Sequence, residues 1–437
     1  MTLYRNSTIV FARLIIGGIL SVSVTALLVR TLLPAEFGNY ALITLIPPMA
    51  LNLCGFGLAS SAVYFASRGA ERSDSIASGI LSVNLGLGFL VAVAAGLIVI
   101  VGEFGNDDSL SQSSLLYSIL LIPVFFFNST LTAILQGLQD FRASSIAALI
   151  PNASLLVLIG VVGSLTSINL TDAVGLYAMS HLLALIAVSR MRPEGFLGLS
   201  STLTFIKSFG RERIRYALSV YVGNLLAFIN TRAVAFVVGY YSSTESVALF
   251  VALMALYEVL LFGATSVTTV VLPIAARHES TATDNTGTTC TVTKIASILT
   301  FLAALLLCLC GSWVLTNLYG EFYRGGSNAL WLFGAAAFSA TYLRILAAEV
   351  AGRGYPQLNT YIAFVGSVVG LIGIAALSSV FDIYGAAAGF AVSVTVQAVL
   401  TGHVFCRISG SRMSTLIKLD HHEMRMFRSW VRRFRRT

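Results

Sequence analysis

The stretch Ile9–Tyr40, IVFARLIIGGILSVSVTALLVRTLLPAEFGNY, decides the fold. From Ile9 to Val29 it is one unbroken apolar run that a single charge, Arg13, interrupts. Roughly 20 apolar residues carry a helix across a hydrocarbon core, so this run predicts a membrane span. Arg30 closes the run and Pro34 is expected to break the helix, leaving Glu36, Phe37 and Gly38 in a short turn before the next apolar run. An arginine below the middle of a span implies a bundle that tolerates positive charge inside the membrane.

Composition carries the same reading to the whole chain. Charged residues make up 11% of it and hydrophobic residues 57%, with mean hydropathy +0.86. Soluble domains carry roughly 25% charged residues, so a soluble class is excluded. Cys54, Cys290, Cys308, Cys310 and Cys406 show no disulfide framework and no zinc spacing, and most fall in or beside apolar runs as small buried hydrophobes. The first run is longer than a signal-peptide core and has no small-residue cleavage site after it, so it is expected to be retained.

Twelve apolar runs reach span length: 9–29, 40–66, 79–102, 114–135, 145–163, 173–189, 215–239, 247–272, 295–318, 328–350, 360–378 and 384–406. No period-2 alternation of barrel strands appears, which predicts an all-α membrane protein. Pro47, Pro48 and Pro123 lie within runs and imply kinks or local unwinding. With the N-terminus in the cytoplasm, 22 of the 27 Lys and Arg fall in inside segments, Lys294 among them; only Arg30 and Arg324 fall outside. That bias predicts both termini inside and an even number of spans.

The outside connections are short; the one at 103–113 carries Glu103, Asp107 and Asp108. The largest central connection divides the runs six and six. The expected organisation is a six-helix bundle over 1–190, a cytoplasmic connection over 191–214, a second six-helix bundle over 215–406 and a basic tail over 407–437. In secondary transporters built from two halves, the substrate site lies between them. Within Arg412–Thr437, apolar residues at helical spacing are interleaved with arginines. The tail reads equally as an amphipathic helix on anionic lipid headgroups or as a disordered positive-inside tail. Either way the membrane explains its charge, and no nucleic acid is implied.

Charges inside spans face a cavity or a partner. Arg13, Arg232, Glu258, Arg344 and Glu349 are the candidates. Each has a plainer reading. Arg13 can snorkel to the headgroups. Arg232 and Glu258 lie at similar depths, where a structural ion pair would account for both. Glu349 has Arg353 four residues on, the favourable orientation for a helix pair. Arg344 has no local partner. Three arginines against two glutamates suit an anionic substrate, because the guanidinium fork binds phosphate bidentately. Asn52, Asn84, Asn128, Asn224 and Asn230, with Tyr64, Tyr221 and Tyr257, can contact sugars; at helical spacing such residues more often join helices. No phosphate-binding glycine loop, GxSxG or metal-spaced His pair occurs, so no catalysis, cofactor or metal is expected. A polytopic membrane glycosyltransferase or polymerase built on Asp107 and Asp108 would need substantial outside loops.

The run Arg30-Thr31-Leu32-Leu33-Pro34-Ala35-Glu36-Phe37-Gly38-Asn39-Tyr40-Ala41-Leu42 resembles the polysaccharide-biosynthesis flippases, the Wzx-type O-antigen transporters. So do Gly55-Phe56-Gly57-Leu58-Ala59 and Gln136-Gly137-Leu138-Gln139-Asp140-Phe141-Arg142. The likeness is clear over the first half. It implies the MATE-like fold of the multidrug/oligosaccharidyl-lipid/polysaccharide superfamily, with about 12 transmembrane helices in two six-helix bundles. It also implies a role in a bacterial inner membrane, moving a lipid-linked oligosaccharide on a polyprenyl diphosphate from the cytoplasmic to the outer leaflet, with polysaccharide assembly proteins as partners. Under that resemblance Arg13, Arg232, Arg344, Asn52, Asn128 and Tyr64 are expected to bind substrate and Glu258 to couple an ion. Arg13 and Arg344 would meet the diphosphate first and Arg232 would receive it as the halves rock. A multidrug or cation antiporter of the same fold is the rival, disfavoured by the arginine excess; a scaffold that docks partners through its tail is another.

Overall fold

The computed structural model describes all residues except 1, 60–72, 102–111, 139, 192–210, 269–281 and 418–437. The expectations placed on Tyr64, on Asp107 and Asp108, on most of the central connection and on residues 418–437 of the tail lie outside the described residues. Those described are overwhelmingly helical, joined by short turns, with no strand. Among the described residues nine helices are long and apolar enough to cross a membrane, and the number rises to 11 when two bent helix pairs are each taken as one span.

The first half comprises α1 (Thr2–Thr31), α2 (Pro34–Thr44), α3 (Ile46–Cys54), α4 (Ser73–Val101), α5 (Gln112–Leu120), α6 (Ile122–Gly137), α7 (Phe141–Leu165) and α8 (Leu170–Arg190). The expected break falls just before Pro34: α1 ends at Thr31 and Pro34 opens α2, where a missing N–H costs nothing, and Glu36 is helical. The Glu36 carboxylate accepts the Leu33 backbone N–H at 3.0 Å, so the expected turn over residues 36–38 is instead a capped first turn. Prolines also place the two breaks. Pro47 and Pro48 start α3 after Leu45, and Pro123 starts α6 after Leu121.

The second half begins with α9 (Arg211–Phe228), a π-helical segment over Ile229–Ala233 and α10 (Val234–Tyr241). Then come α11 (Thr244–Leu260), α12 (Phe262–Thr268), α13 (Ala282–Leu309), α14 (Gly311–Tyr319), α15 (Ala329–Gly352), α16 (Pro356–Ser409) and α17 (Met413–Ile417). The helix containing the run at 295–318 starts earlier than its hydropathy suggests. Lys294 therefore lies inside α13 and is buried, not in a loop as expected. The 54 residues of α16 are interrupted at Asp382, whose φ of 52° and ψ of −130° are not helical. Ser246 Oγ donates to Asp382 Oδ1 at 2.6 Å and holds that bend. Instead of lying free, the start of the tail docks: Leu416 is buried against Phe405 and Cys290.

Large apolar side chains stand exposed along the outer faces, among them Leu90, Val93, Ile98 and Val101 on α4 and Ile372, Val380 and Phe381 on α16. Apolar patches of this extent are stable against lipid, not water. The chain is a multi-pass membrane protein.

The core is joined at one end and divided at the other. At the end holding the α1–α2 and α10–α11 turns, one continuous cluster includes Leu28, Phe37 and Ile43 of the first half and Val247, Phe250 and Phe333 of the second. At the opposite end each half has its own core: Leu58, Ile80 and Ile134 in one, Leu346, Val350 and Phe405 in the other. Close backbone approach seals the joined end. A Cβ on Gly38 would collide with the Thr244 backbone carbonyl at the start of α11. Arg30 adds a strap: its Nε donates to Leu318 O at 3.1 Å and its Nη2 to Asn317 O, at the C-terminal, electronegative end of α14. Toward the divided end, Tyr221 OH donates to Leu53 O at 2.7 Å and its ring meets Phe56 at 5.6 Å. Phe56 and Gly57 have φ of 45° and 71°, the left-handed turn that brings this ring across to α9.

Candidate functional site

Between the halves lies a cavity of about 500 Å³. The first half lines it through α1, α2, α3, α7 and α8, the second through α9, the π segment, α10 and α11. Its polar surface comes from Ser21, Thr25, Thr44, Asn52, Asn152, Tyr40, Tyr177, Thr231, Arg232 and Glu258. An apolar wall of Leu28, Phe37, Phe228, Phe250 and Met254 completes it. The cavity therefore sits immediately below the sealed end and above the divided one.

Arg232 and Glu258 are its charged residues. Arg232 Nη2 and Glu258 Oε1 are 3.0 Å apart, with side chains 50% and 36% exposed. Local backbone chemistry aims the arginine. The segment Ile-Asn-Thr-Arg-Ala is a polar interruption in an apolar run, and it takes the π form that admits an extra residue per turn. Within it Asn230 faces away from the cavity toward α16, with Nδ2 donating to Ser367 Oγ at 2.9 Å. Arg232, two residues on, faces the cavity. Half-exposed ion pairs are worth about 1 kcal/mol or less, so this pair holds a geometry that an incoming anion can exchange at little cost.

The structure brings together only part of the expected set. Arg232, Glu258 and Asn52 line one cavity. Arg13 lies eight residues before Ser21, the first cavity-lining residue of α1, roughly 12 Å at helical rise. Arg344 is exposed beside α12, where its Nη1 donates to Thr265 Oγ1 at 2.6 Å, and so has a partner on a neighbouring helix. The expected three-arginine lining is thus corrected to one arginine, balanced by one glutamate of the same half. Asn128 lines a separate first-half cavity of about 390 Å³. Asn84 and Asn230 join helices: Asn84 Nδ2 donates to Thr130 Oγ1 at 2.5 Å, and Asn230 receives Gln397 Nε2 at 3.3 Å.

Glu349 is part of a buried knot. Its carboxylate meets Arg353 Nη2 at 2.8 Å and accepts Thr289 Oγ1 at 3.1 Å, while the guanidinium lies over the Phe405 ring at 5.6 Å. The i,i+4 reading found the pair, but not its burial across three helices. Reasoning from charge also missed Tyr40, Tyr177 and Asn152, which are neutral and sit in runs that read as ordinary spans. Their signal is a polar group facing the other half, and only the fold reveals that. Among the described residues no cluster of His, Cys, Asp or Glu could hold a metal ion.

The architecture is shared with solved transporters. An inward-facing multidrug resistance MATE family transporter of the MOP superfamily superposes with TM-score 0.73 at 15% identity, covering 91% of this chain and 94% of its own. The lipid II flippase MurJ in an inward closed conformation gives TM-score 0.76 at 14% identity, covering 97% and 91%. A MOP superfamily transporter from Pyrococcus furiosus, described as having a binding pocket of reversed polarity, gives 0.62 at 14% identity over 96% of each chain. Likeness at such identities shows the fold: this is a MATE- and MurJ-like helical architecture. Among curated proteins none matches the chain. The family model for polysaccharide biosynthesis proteins matches residues 3–279, through the first half and past Glu258. The chain belongs to the polysaccharide biosynthesis protein family.

Proposed function

We propose that this protein is a flippase that carries a polyprenyl-diphosphate-linked oligosaccharide across a bacterial inner membrane for surface polysaccharide synthesis, such as O-antigen, capsule or exopolysaccharide. The observation that supports this most strongly is the Arg232–Glu258 pair lining a cavity between two halves in a polysaccharide biosynthesis family member. On this reading the twelve apolar runs are twelve crossings, counting the limbs of α16 on either side of Asp382 separately, and both termini are cytoplasmic. The sealed end faces outward and the divided end faces the cytoplasm.

The diphosphate enters from the cytoplasmic leaflet past Arg13 and Arg344. It then displaces Glu258 from Arg232, exchanging one carboxylate for a doubly charged bidentate partner. The sugars contact Asn52, Asn152, Tyr40 and Tyr177, while the polyprenyl tail stays in lipid. Release outward follows when the Gly38–Thr244 approach and the Arg30 strap open and the other end closes. Cells lacking the protein are expected to accumulate lipid-linked glycan while their surface polysaccharide disappears.

A second reading has one observation in its favour. The cavity is formally neutral and has a large aromatic wall, which suits a multidrug exporter of amphipathic compounds. That reading predicts a changed susceptibility to such compounds in the same cells, with surface glycan intact.

A further inference from the structure

The separate first-half cavity holds chemistry that the substrate route does not use. One face of α6 presents Phe125, Asn128, Ser129, Thr132 and Gln136 to it. His181 of α8 borders it from the other side. His181 is the only histidine in the first 277 residues, and no carboxylate lies at interior depth in the first six apolar runs. Its Nε2 is buried with no hydrogen-bond partner among the described residues, and the same is true of Asn128 Oδ1. An unmet donor or acceptor in such a place is destabilising, and here two of them border one cavity.

We propose that His181 is a proton-binding site, with Asn128 Oδ1 as the acceptor that stabilises its charged form. The neutral ring offers one N–H and one acceptor nitrogen; the imidazolium offers two donors. With the neutral ring's proton on Nδ1, a proton delivered from bulk solvent through the cavity to Nε2 turns an unpaired acceptor into a donor, and a side-chain rotation lets Asn128 Oδ1 receive it. Both unmet groups are then satisfied. Two aromatic rings fix the imidazole in place: Tyr177 packs T-shaped against His181 at 4.4 Å and Phe125 at 4.5 Å.

Phe125 from α6 and Tyr177 from its own helix meet the ring, and Asn128 from α6 with Ala147, Ala148 and Pro151 from α7 line the same cavity. None is a carboxylate. Tyr177 is the titratable neighbour, Tyr40 stands behind it at 6.2 Å, and Arg232 lines the central cavity that Tyr177 also lines. Tyr177 therefore touches the proton site and also lines the cavity that holds the central ion pair. Charging His181 places a positive charge against a wall residue of that cavity. A proton gradient thereby gains a means of acting on the substrate cavity.

The coupling step rests on the flippase reading; proton binding does not, so the test has two arms. In the first, His278, His403, His421 and His422 are replaced by Gln, leaving His181 as the sole imidazole. Its ¹⁵N resonances are then followed from pH 4 to 8 in nanodiscs. The proposal predicts a single protonation, and Asn128→Leu should lower its midpoint by about one pH unit, a tenfold loss of proton affinity. A ring that does not titrate, or a midpoint that Asn128→Leu leaves unchanged, overturns the site. In the second arm, cells carrying wild type or His181→Gln are treated with nigericin to collapse the pH gradient. Wild-type glycan export should fall several-fold, and His181→Gln export should be low and insensitive. Export by His181→Gln that stays as gradient-dependent as wild type overturns the coupling role. A wild type that moves no glycan overturns the flippase reading and leaves the titration to decide the site.

Discussion

Arg232 and Glu258 form a 3.0 Å ion pair at the boundary between the halves, yet both belong to the second half. The pair is therefore no latch between halves; it is a charge held ready on one wall. Its half-exposed setting limits its stabilising effect to about 1 kcal/mol. Arg232→Ala and Glu258→Gln are each expected to leave the thermal midpoint within about 3 °C of wild type. Surface glycan should fall at least tenfold with Arg232→Ala and less with Glu258→Gln. A large loss of stability in either variant would mark the pair as structural.

Glu349 behaves in the opposite way. Its side chain is 2% exposed and that of Arg353 12%, with Thr289 adding a second bond to the carboxylate. Removing one partner of a buried pair strands the other charge, at about 3–5 kcal/mol. Glu349→Ala should thus lower the amount of folded protein in the membrane sharply. Exchange to Gln, which keeps a partner for Thr289, should lower it less. Fluorescence-detected size-exclusion chromatography at increasing temperature measures both.

Gly38 sets how closely the sealed end can close. Any side chain there meets the Thr244 backbone, which cannot turn away as a flexible side chain can. Gly38→Leu should shift the protein toward states open at that end. In a background without native cysteines, Leu28→Cys, buried in the cavity wall, should then react with an impermeant maleimide added from outside. It should be several-fold slower when Gly38 is present, and Arg30→Ala should have a smaller effect in the same direction.

The distribution of Lys and Arg fixes orientation in this account. A fluorescent protein fused after Thr437 is expected to mature and an alkaline phosphatase there to stay inactive. The reverse pattern, with an active phosphatase, would place the divided end outside the cell.

Much of the architecture was legible because lipid imposes a simple rule: long apolar runs become helices, and their charges must be explained. Against the twelve expected runs, the described residues hold nine span-length helices, or 11 with the bent pairs; the helical class and the Glu349–Arg353 pair followed from that rule. Helix ends did not. The break at Pro34 was legible, but Glu36, Phe37 and Gly38 were read as a turn when Glu36 caps a new helix, since capping depends on one hydrogen bond and hydropathy does not record it. Lys294 was placed in a loop because a lysine lowers local hydropathy even when it is buried in a helix. The candidate site was legible in its charges and hidden in its geometry. Arg13, Arg232 and Arg344 look alike in sequence, but only Arg232 is turned by a π segment onto the cavity wall. His181 carries no sequence motif at all; its interest arises from unmet bonds that exist only after packing.

The central claim is tested most directly by the leaflet on which lipid-linked glycan resides. Spheroplasts expressing wild type, Arg232→Ala or Arg344→Ala at matched levels would be treated with an impermeant glycan-oxidising reagent, and the modified fraction of lipid-linked glycan measured. The account predicts that most of the glycan is modified with wild type, little with Arg232→Ala and an intermediate fraction with Arg344→Ala. Equal modification in all three, at levels matched to cells lacking the protein, would contradict it.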